Sequence, residues 1–159
     1  MNFEVKLSRD FEALGELTIQ EGCLRSVGAS SEEEVQEAVK VMRNLPSVFM
    51  SEARLDDKLV GVLLFLPYSG CDFDIHVIFA ESCRGDFAIE ASKKMLFLVF
   101  SQTMVQRLVG RCPSKHVSTF AKQCGFREFG HKDGLILVEL TKVMFNNQTQ
   151  EEVCRGLQQ

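Results

Sequence analysis

Between Cys71 and Phe126 the chain spells out a strand, a glycine turn, a long helix, a second strand and a short helix. No other stretch limits the possible folds as much. In the first strand, Phe73–Phe79, side chains alternate between faces: Phe73, Ile75, Val77 and Phe79 share one, and Asp74, His76 and Ile78 the other. Arg84-Gly85 makes a tight turn. The helix expected from near Phe87 carries Ala88, Ala91, Met95, Leu98, Val99 and Gln102 on one stripe, with Ser92, Lys93 and Lys94 facing outward. A strand that feeds a glycine turn opening a helix is a common way to present backbone N–H groups to a phosphate. Arg107–Cys112 reads as the second strand. Pro113-Ser114 then opens a helix with Val117, Phe120, Ala121 and Cys124 at i, i+3, i+4 and i+7, capped by Gly125.

The flanking segments supply more of both periodicities. Phe3–Leu7 alternates as a strand. Ser8 to about Leu24 reads as a weaker helix with Phe11, Leu14, Leu17 and Thr18 inward, interrupted by Gly22 and Gly28. Ser31-Glu32-Glu33-Glu34 fits a capping box with acids at the positive end of the helix dipole; Val35, Ala38, Val39 and Met42 follow, and Pro46 stops the helix. Val48–Arg54 and Lys58–Leu66 form a hairpin across Asp56-Asp57, and Pro67–Gly70 is a second turn. Phe126–Gly130 and Leu135–Thr141 close the chain as a hairpin over His131–Gly134. Residues 1–145 are expected to form a single domain. The polar, Gln-rich residues 146–159 are expected to form a frayed tail or short extra helix, suited to a contact arm.

Composition excludes several roles. A length of 159 residues with 45% hydrophobic content suits one domain with a real core. A net charge of −4 gives no electrostatic footprint for nucleic acid. The apolar run Val60–Leu66 falls far short of the roughly 20 residues of a membrane span, and Met1–Glu4 lacks signal-peptide character. A cytoplasmic location is therefore expected. The six cysteines contain no C-x-x-C pair, and Cys112 and Cys124 sit at core positions, so they read as small apolar filler in a reducing compartment. The three histidines show no ligand spacing with any cysteine, so no metal is expected.

The element order is strand, two helices, hairpin, strand, helix, strand, helix, hairpin. It resembles the GNAT superfamily of N-acetyltransferases, and the resemblance covers nearly the whole chain. Arg84-Gly85 resembles the family's pyrophosphate turn, and Phe120–Phe126 its helix ending in Gly-Phe. Asp74-Ile75-His76-Val77 with the shortened turn looks like the GNAT-like proteins of tailed bacteriophages, some of which are thought to be virion or assembly components. The implied fold is α/β (α+β): a mixed central sheet of about seven strands flanked by four helices, with a splayed cleft between strands four and five. The implied cofactor is acetyl-CoA or CoA, with contacts at Ile78, Ala80, Gly85, Asp86, Phe87 and Ala88 and Arg84 nearby. The chain departs from the pattern in two places. Aligned directly, Phe87 and Ile89 stand at the pattern's glycine and glycine-or-alanine positions; with a one-residue deletion Asp86 and Ala88 do. Either way a glycine that would let phosphate approach is missing, with Asp86 expected to cap the helix it precedes. Ala121 stands where many relatives carry a tyrosine that protonates the leaving thiolate.

Amide formation from an amine requires a base and an oxyanion stabiliser. Asp74 and His76 are the base candidates, two apart on one strand face, although a strand Asp and His can equally serve only structural hydrogen bonds. Two readings follow. One is an acyl-CoA-dependent N-acetyltransferase acting on an amine or protein acceptor. The other is a catalytically inactive GNAT-fold protein used for its surface, partnered by a phage structural or host protein in the virion or host cytoplasm.

Overall fold

The computed structural model describes residues 2–158. One seven-stranded sheet organises it, in the order β1-β2-β3-β4-β5-β7-β6. The strands are β1 Phe3–Ser8, β2 Phe49–Leu55, β3 Lys58–Ser69, β4 Asp72–Phe79, β5 Arg107–Cys112, β6 Arg127–Lys132 and β7 Leu135–Thr141. Every neighbouring pair is antiparallel except β4 and β5. The α-helices are α1 Phe11–Gln20, α2 Glu32–Arg43, α3 Asp86–Gln102, α4 Lys115–Gln123 and α5 Lys142–Leu157.

The mixed α/β architecture, the seven strands and the expected order are all present. Local chemistry accounts for much of it. Ser31 Oγ accepts the Glu34 N–H at 3.2 Å, while Glu34 reaches back to the Ser30 N–H at 2.6 Å, so the capping box closes one residue earlier than the usual form. Asp56 and Asp57 both hold positive φ, 49° and 67°, the conformation of a tight two-residue hairpin turn. Ser114 caps α4 by accepting the Val117 N–H.

Four expectations are corrected. The first helix ends at Gln20, because Gly22 and Gly28 take positive φ around a 3-10 turn at Leu24–Val27. Strand β3 runs through Pro67 to Ser69 with a bulge there, and the turn falls at Gly70-Cys71. Ser92 does not face outward: it is 1% exposed, whereas Gln102 is exposed. Finally, the described residues form five α-helices in place of four, the extra helix being the alternative to a frayed tail at the C-terminal segment. Thr141 caps α5 by accepting the Met144 N–H, and α5 continues through the polar segment to Leu157. Phe145 anchors it against Phe100, with ring centroids 5.2 Å apart. Gln148 Nε2 donates to the Gly125 carbonyl at 3.0 Å, just past the end of α4.

Pairing register fixes the two faces of the sheet. Phe3 meets the Phe87 ring edge-on, which places α3 on the face shared by Phe65, Phe73, Ile75, Val77 and Leu108. Arg54, on the opposite face, lies 3.9 Å from Asp10 at the start of α1. Asp74, His76 and Arg111 belong to this second face. Gly61 lies opposite Phe79, and a Cβ there would sit 2.2 Å from the Phe79 ring. Gly61→Ala is therefore expected to lower stability by about 1–3 kcal/mol through overpacking. Gly156→Ala, which meets nothing within 4 Å, should be neutral or slightly stabilising. Thermal unfolding of the two variants checks the contrast.

Candidate functional site

The parallel pair is short. Asp72, Phe73 and Asp74 register with Arg107, Leu108 and Val109, and there the ladder ends. Beyond it β4 stays bonded to β3 as far as Phe79, and β5 stays bonded to β7 as far as Cys112, so the two strands splay. A cavity of about 480 Å³ fills the wedge. Its walls are Ile75, His76 and Val77 of β4, Gly110–Cys112 of β5, Ser92 and Leu96 of α3, and Val117, Phe120, Ala121 and Cys124 of α4. Arg25 and Ser26 form part of the rim on the α1 side. The apolar stripe of α4 lines this cavity as well as packing on the core, with Cys124 buried, Phe120 and Ala121 half-buried and Val117 exposed.

A larger groove of about 930 Å³ runs between α3, the end of α4 and α5. Several of its cations are already engaged: Lys93 with Glu90 and Glu152, Lys122 with Glu128, and Arg127 with Glu139. The wedge, which interrupts the sheet itself and exposes unpaired strand edges, is the candidate site.

Strand parity decides which backbone groups face it. Ala80 N–H donates to the Val60 carbonyl at 2.8 Å, so Ala80, and with it Ile78 and His76, direct their amides toward β3. The Ile75 N–H closes the last rung of the ladder on the Val109 carbonyl, so the groups that face the opening are the Ile75 carbonyl and the backbone groups of Val77 and Phe79. This corrects the expectation of backbone contacts at Ile78 and Ala80. The side chain of Ile78 is also buried on the α1 face of the sheet.

The turn after β4 lies at one end of the wedge and does not line it. Gly85, at φ 85° and ψ −141°, occupies a region essentially restricted to glycine. It is the residue that caps α3, and it offers no side-chain hydrogen bond. Asp86 is therefore inside the first turn, not at the cap, and is exposed. The first intrahelical bond runs from the Ile89 N–H to the Gly85 carbonyl, so the Asp86, Phe87 and Ala88 amides precede the ladder. The Phe87 ring turns away onto Phe3, and Ala88 is buried. Arg84 folds back over the strand end, with Nε 3.4 Å from the Phe79 carbonyl.

The two base candidates differ. Asp74 Oδ2 pairs with Arg111 Nη1 at 3.1 Å, while its Oδ1 is buried without a partner. His76 lines the cavity. Burial pushes its pKa below 6.5, Asp74 pulls it up and Arg111 lowers it further. His76 is thus held as the neutral imidazole, able to accept a proton. Burial pushes the Cys124 thiol up to about 11, against the pull of the Ser92 hydroxyl, so it is no nucleophile. Arg111 and Ser92 escaped the sequence reading. Arg111 becomes visible only once the β4–β5 register puts it on the Asp74 face. Among the described residues no cluster of three or more His, Cys, Asp or Glu could hold a metal ion.

No family model matches the chain, and no curated protein matches it in sequence. Solved structures do match in shape. A spermidine N-acetyltransferase from Vibrio cholerae in complex with CoA and spermine superposes with a TM-score of 0.68 at 14% identity, over 90% of this chain and 97% of that one. A chimera of the Vibrio cholerae enzyme and hSSAT gives 0.71 at 14%, over 92% and 99%. The dodecameric Vibrio cholerae enzyme gives 0.68 at 15%, over 92% and 97%. This is the GNAT fold. Its splayed fourth and fifth strands are present, and the wedge described above is the opening between them.

The neutral state of His76 has a measurable consequence. A folded-state pKa below the ordinary 6.5 means that the unfolded chain binds the proton more readily. The contribution of His76 is then fully present above about pH 6.5 and is lost as the pH falls through the folded-state value. His76→Asn should flatten that part of the acid limb in denaturant-derived stability between pH 7 and 5.

Proposed function

We propose that the chain binds an acyl-CoA along the β4/β5 opening and transfers the acyl group to an amine. The observation that carries this reading is the ending of the β4–β5 ladder after Asp74 and Val109, which leaves strand edges facing a cavity of about 480 Å³. A thioester carbonyl placed along β4 meets the Val77 N–H, the first β4 donor past the end of the ladder and preorganised for charge developing on oxygen. The pyrophosphate is held at the start of α3 by the Asp86, Phe87 and Ala88 amides, with Arg84 beside them; the exposed Asp86 carboxylate weakens this end. The amine nitrogen attacks the thioester carbon, His76 takes up the ammonium proton, and the C–S bond breaks with its electron pair going to sulfur. The complex of the Vibrio cholerae enzyme with CoA and spermine supports CoA as the cofactor class.

A second reading draws on α5. Val143, Val153 and Leu157 are all exposed and fall within about 80° of arc at 100° per residue. An apolar flank on the C-terminal helix suits a GNAT-fold protein used for its surface, as in a phage particle or against a host protein.

Calorimetric unfolding with CoA separates the two. At ~100 times the dissociation constant the ligand should raise stability by roughly 2.7 kcal/mol. Ala121→Phe, which fills the wedge from a helix position, should abolish that shift while leaving the unliganded protein folded. No shift at millimolar CoA would remove the transferase reading and leave the surface reading.

A further inference from the structure

Hydroxyl-bearing side chains inside the α-helices share one habit. Thr18 donates to Leu14 O, Ser101 to Phe97 O, Ser118 and Thr119 to Lys115 O, and Thr149 to Phe145 O. This back-bonding satisfies a hydroxyl that would otherwise lose water on burial. Ser92 breaks the pattern. It is 1% exposed on α3 and lines the wedge, and its Oγ makes no hydrogen bond of good geometry among the described residues, its contact with the Cys124 thiol being only a weak pull. A buried hydroxyl without a partner has given up its water uncompensated, a loss that a polar ligand atom in the site recovers.

The opposite wall of the wedge explains what that atom is. Ala121 and Cys124 of α4 line the same cavity as Ser92. Ala121 has no hydroxyl to offer, and the Cys124 thiol is held protonated and is only a weak donor. Ser92 is therefore the hydroxyl that α3 and α4 between them present to this cavity.

We propose that Ser92 Oγ–H donates a hydrogen bond to the sulfur of the bound thioester and of the CoA thiolate that leaves. This rests on the acyl-CoA reading. The step is balanced without any transfer of the serine proton. The N–C bond forms, the C–S bond breaks, the electron pair stays on sulfur, and the amine proton goes to His76. Ser92 stabilises the negative sulfur as it develops.

The test is a binding cycle with CoA and desulfo-CoA, in which hydrogen replaces the thiol, on the wild type and on Ser92→Ala. Titration at pH 9, where a thiol of ordinary pKa near 8.5 is largely ionised, is expected to show wild type preferring CoA by about tenfold to a hundredfold. Ser92→Ala should bring that ratio close to 1 and bind desulfo-CoA as wild type does. With acetyl-CoA and an accepted amine, kcat should fall by a similar factor at unchanged KM. A serine with a structural role only would change the melting temperature and leave the sulfur preference intact, which overturns the proposal. If wild type binds neither ligand, the acyl-CoA reading fails and this proposal with it. Intact CoA binding with an unaltered ratio in the variant refutes Ser92 alone.

Discussion

The structure depends on a ladder that stops. Three register pairs tie β4 to β5, and beyond Asp74 and Val109 each strand follows its antiparallel partner instead. Antiparallel pairing holds both strands over their full length, so neither can bend back to resume the parallel ladder. The sheet is in effect two sheets, β1–β4 and β5–β7, joined at one end and braced by α3 and α4 where they part. Backbone N–H and C=O groups along the parted edges retain their need for partners. A cavity bordered by such groups is prepared for a ligand that runs along a strand.

The closed end of the wedge is tied by charge as well as by backbone. Arg107 reaches Asp72 at 3.5 Å on β4 and Glu139 at 3.2 Å on β7, and Arg127 on β6 holds the other oxygen of Glu139 at 3.0 Å. Burial works against ionising Glu139, but the hydrogen bonds from Arg127 and Arg107 outweigh it and keep its pKa below the usual carboxylate value. A planar guanidinium can serve two carboxylates at once, which a lysine ammonium does less well. The network spans four strands where the ladder is intact. At the open end, among the described residues, the Asp74–Arg111 pair is the one ion pair that crosses between β4 and β5.

Much of this was legible in the sequence because it is written in local chemistry. Ser31 and Ser114 announce helix starts, Asp56-Asp57 announces a turn, and period-two alternation places Asp74 and His76 on one face. What local patterns could not give was decided by partners distant in the chain. Ser92 looks polar and outward just ahead of two lysines, yet it is buried beside Cys124 at the end of α4. Ile78 and Ala80 are plausible cleft donors until the bond from Ala80 to Val60 shows which way their amides point. Residues 146–157 carry few apolar side chains, but their helix is set by the Thr141 cap and by Phe145 docking on Phe100. Asp86 lies one residue inside α3 and not at its cap, because Gly85 supplies a backbone conformation that no capping side chain could adopt.

The link between Gln148 and Gly125 has a mechanical meaning. The carbonyl at the foot of α4 is gripped from a residue 23 positions downstream, and a Cβ on Gly125 would lie 2.4 Å from the Gln148 carboxamide oxygen. One jamb of the wedge is thus bolted to the C-terminal helix. It can swing outward only by dragging α5 along, so the gap between α3 and α4 is gauged from the far end of the polypeptide.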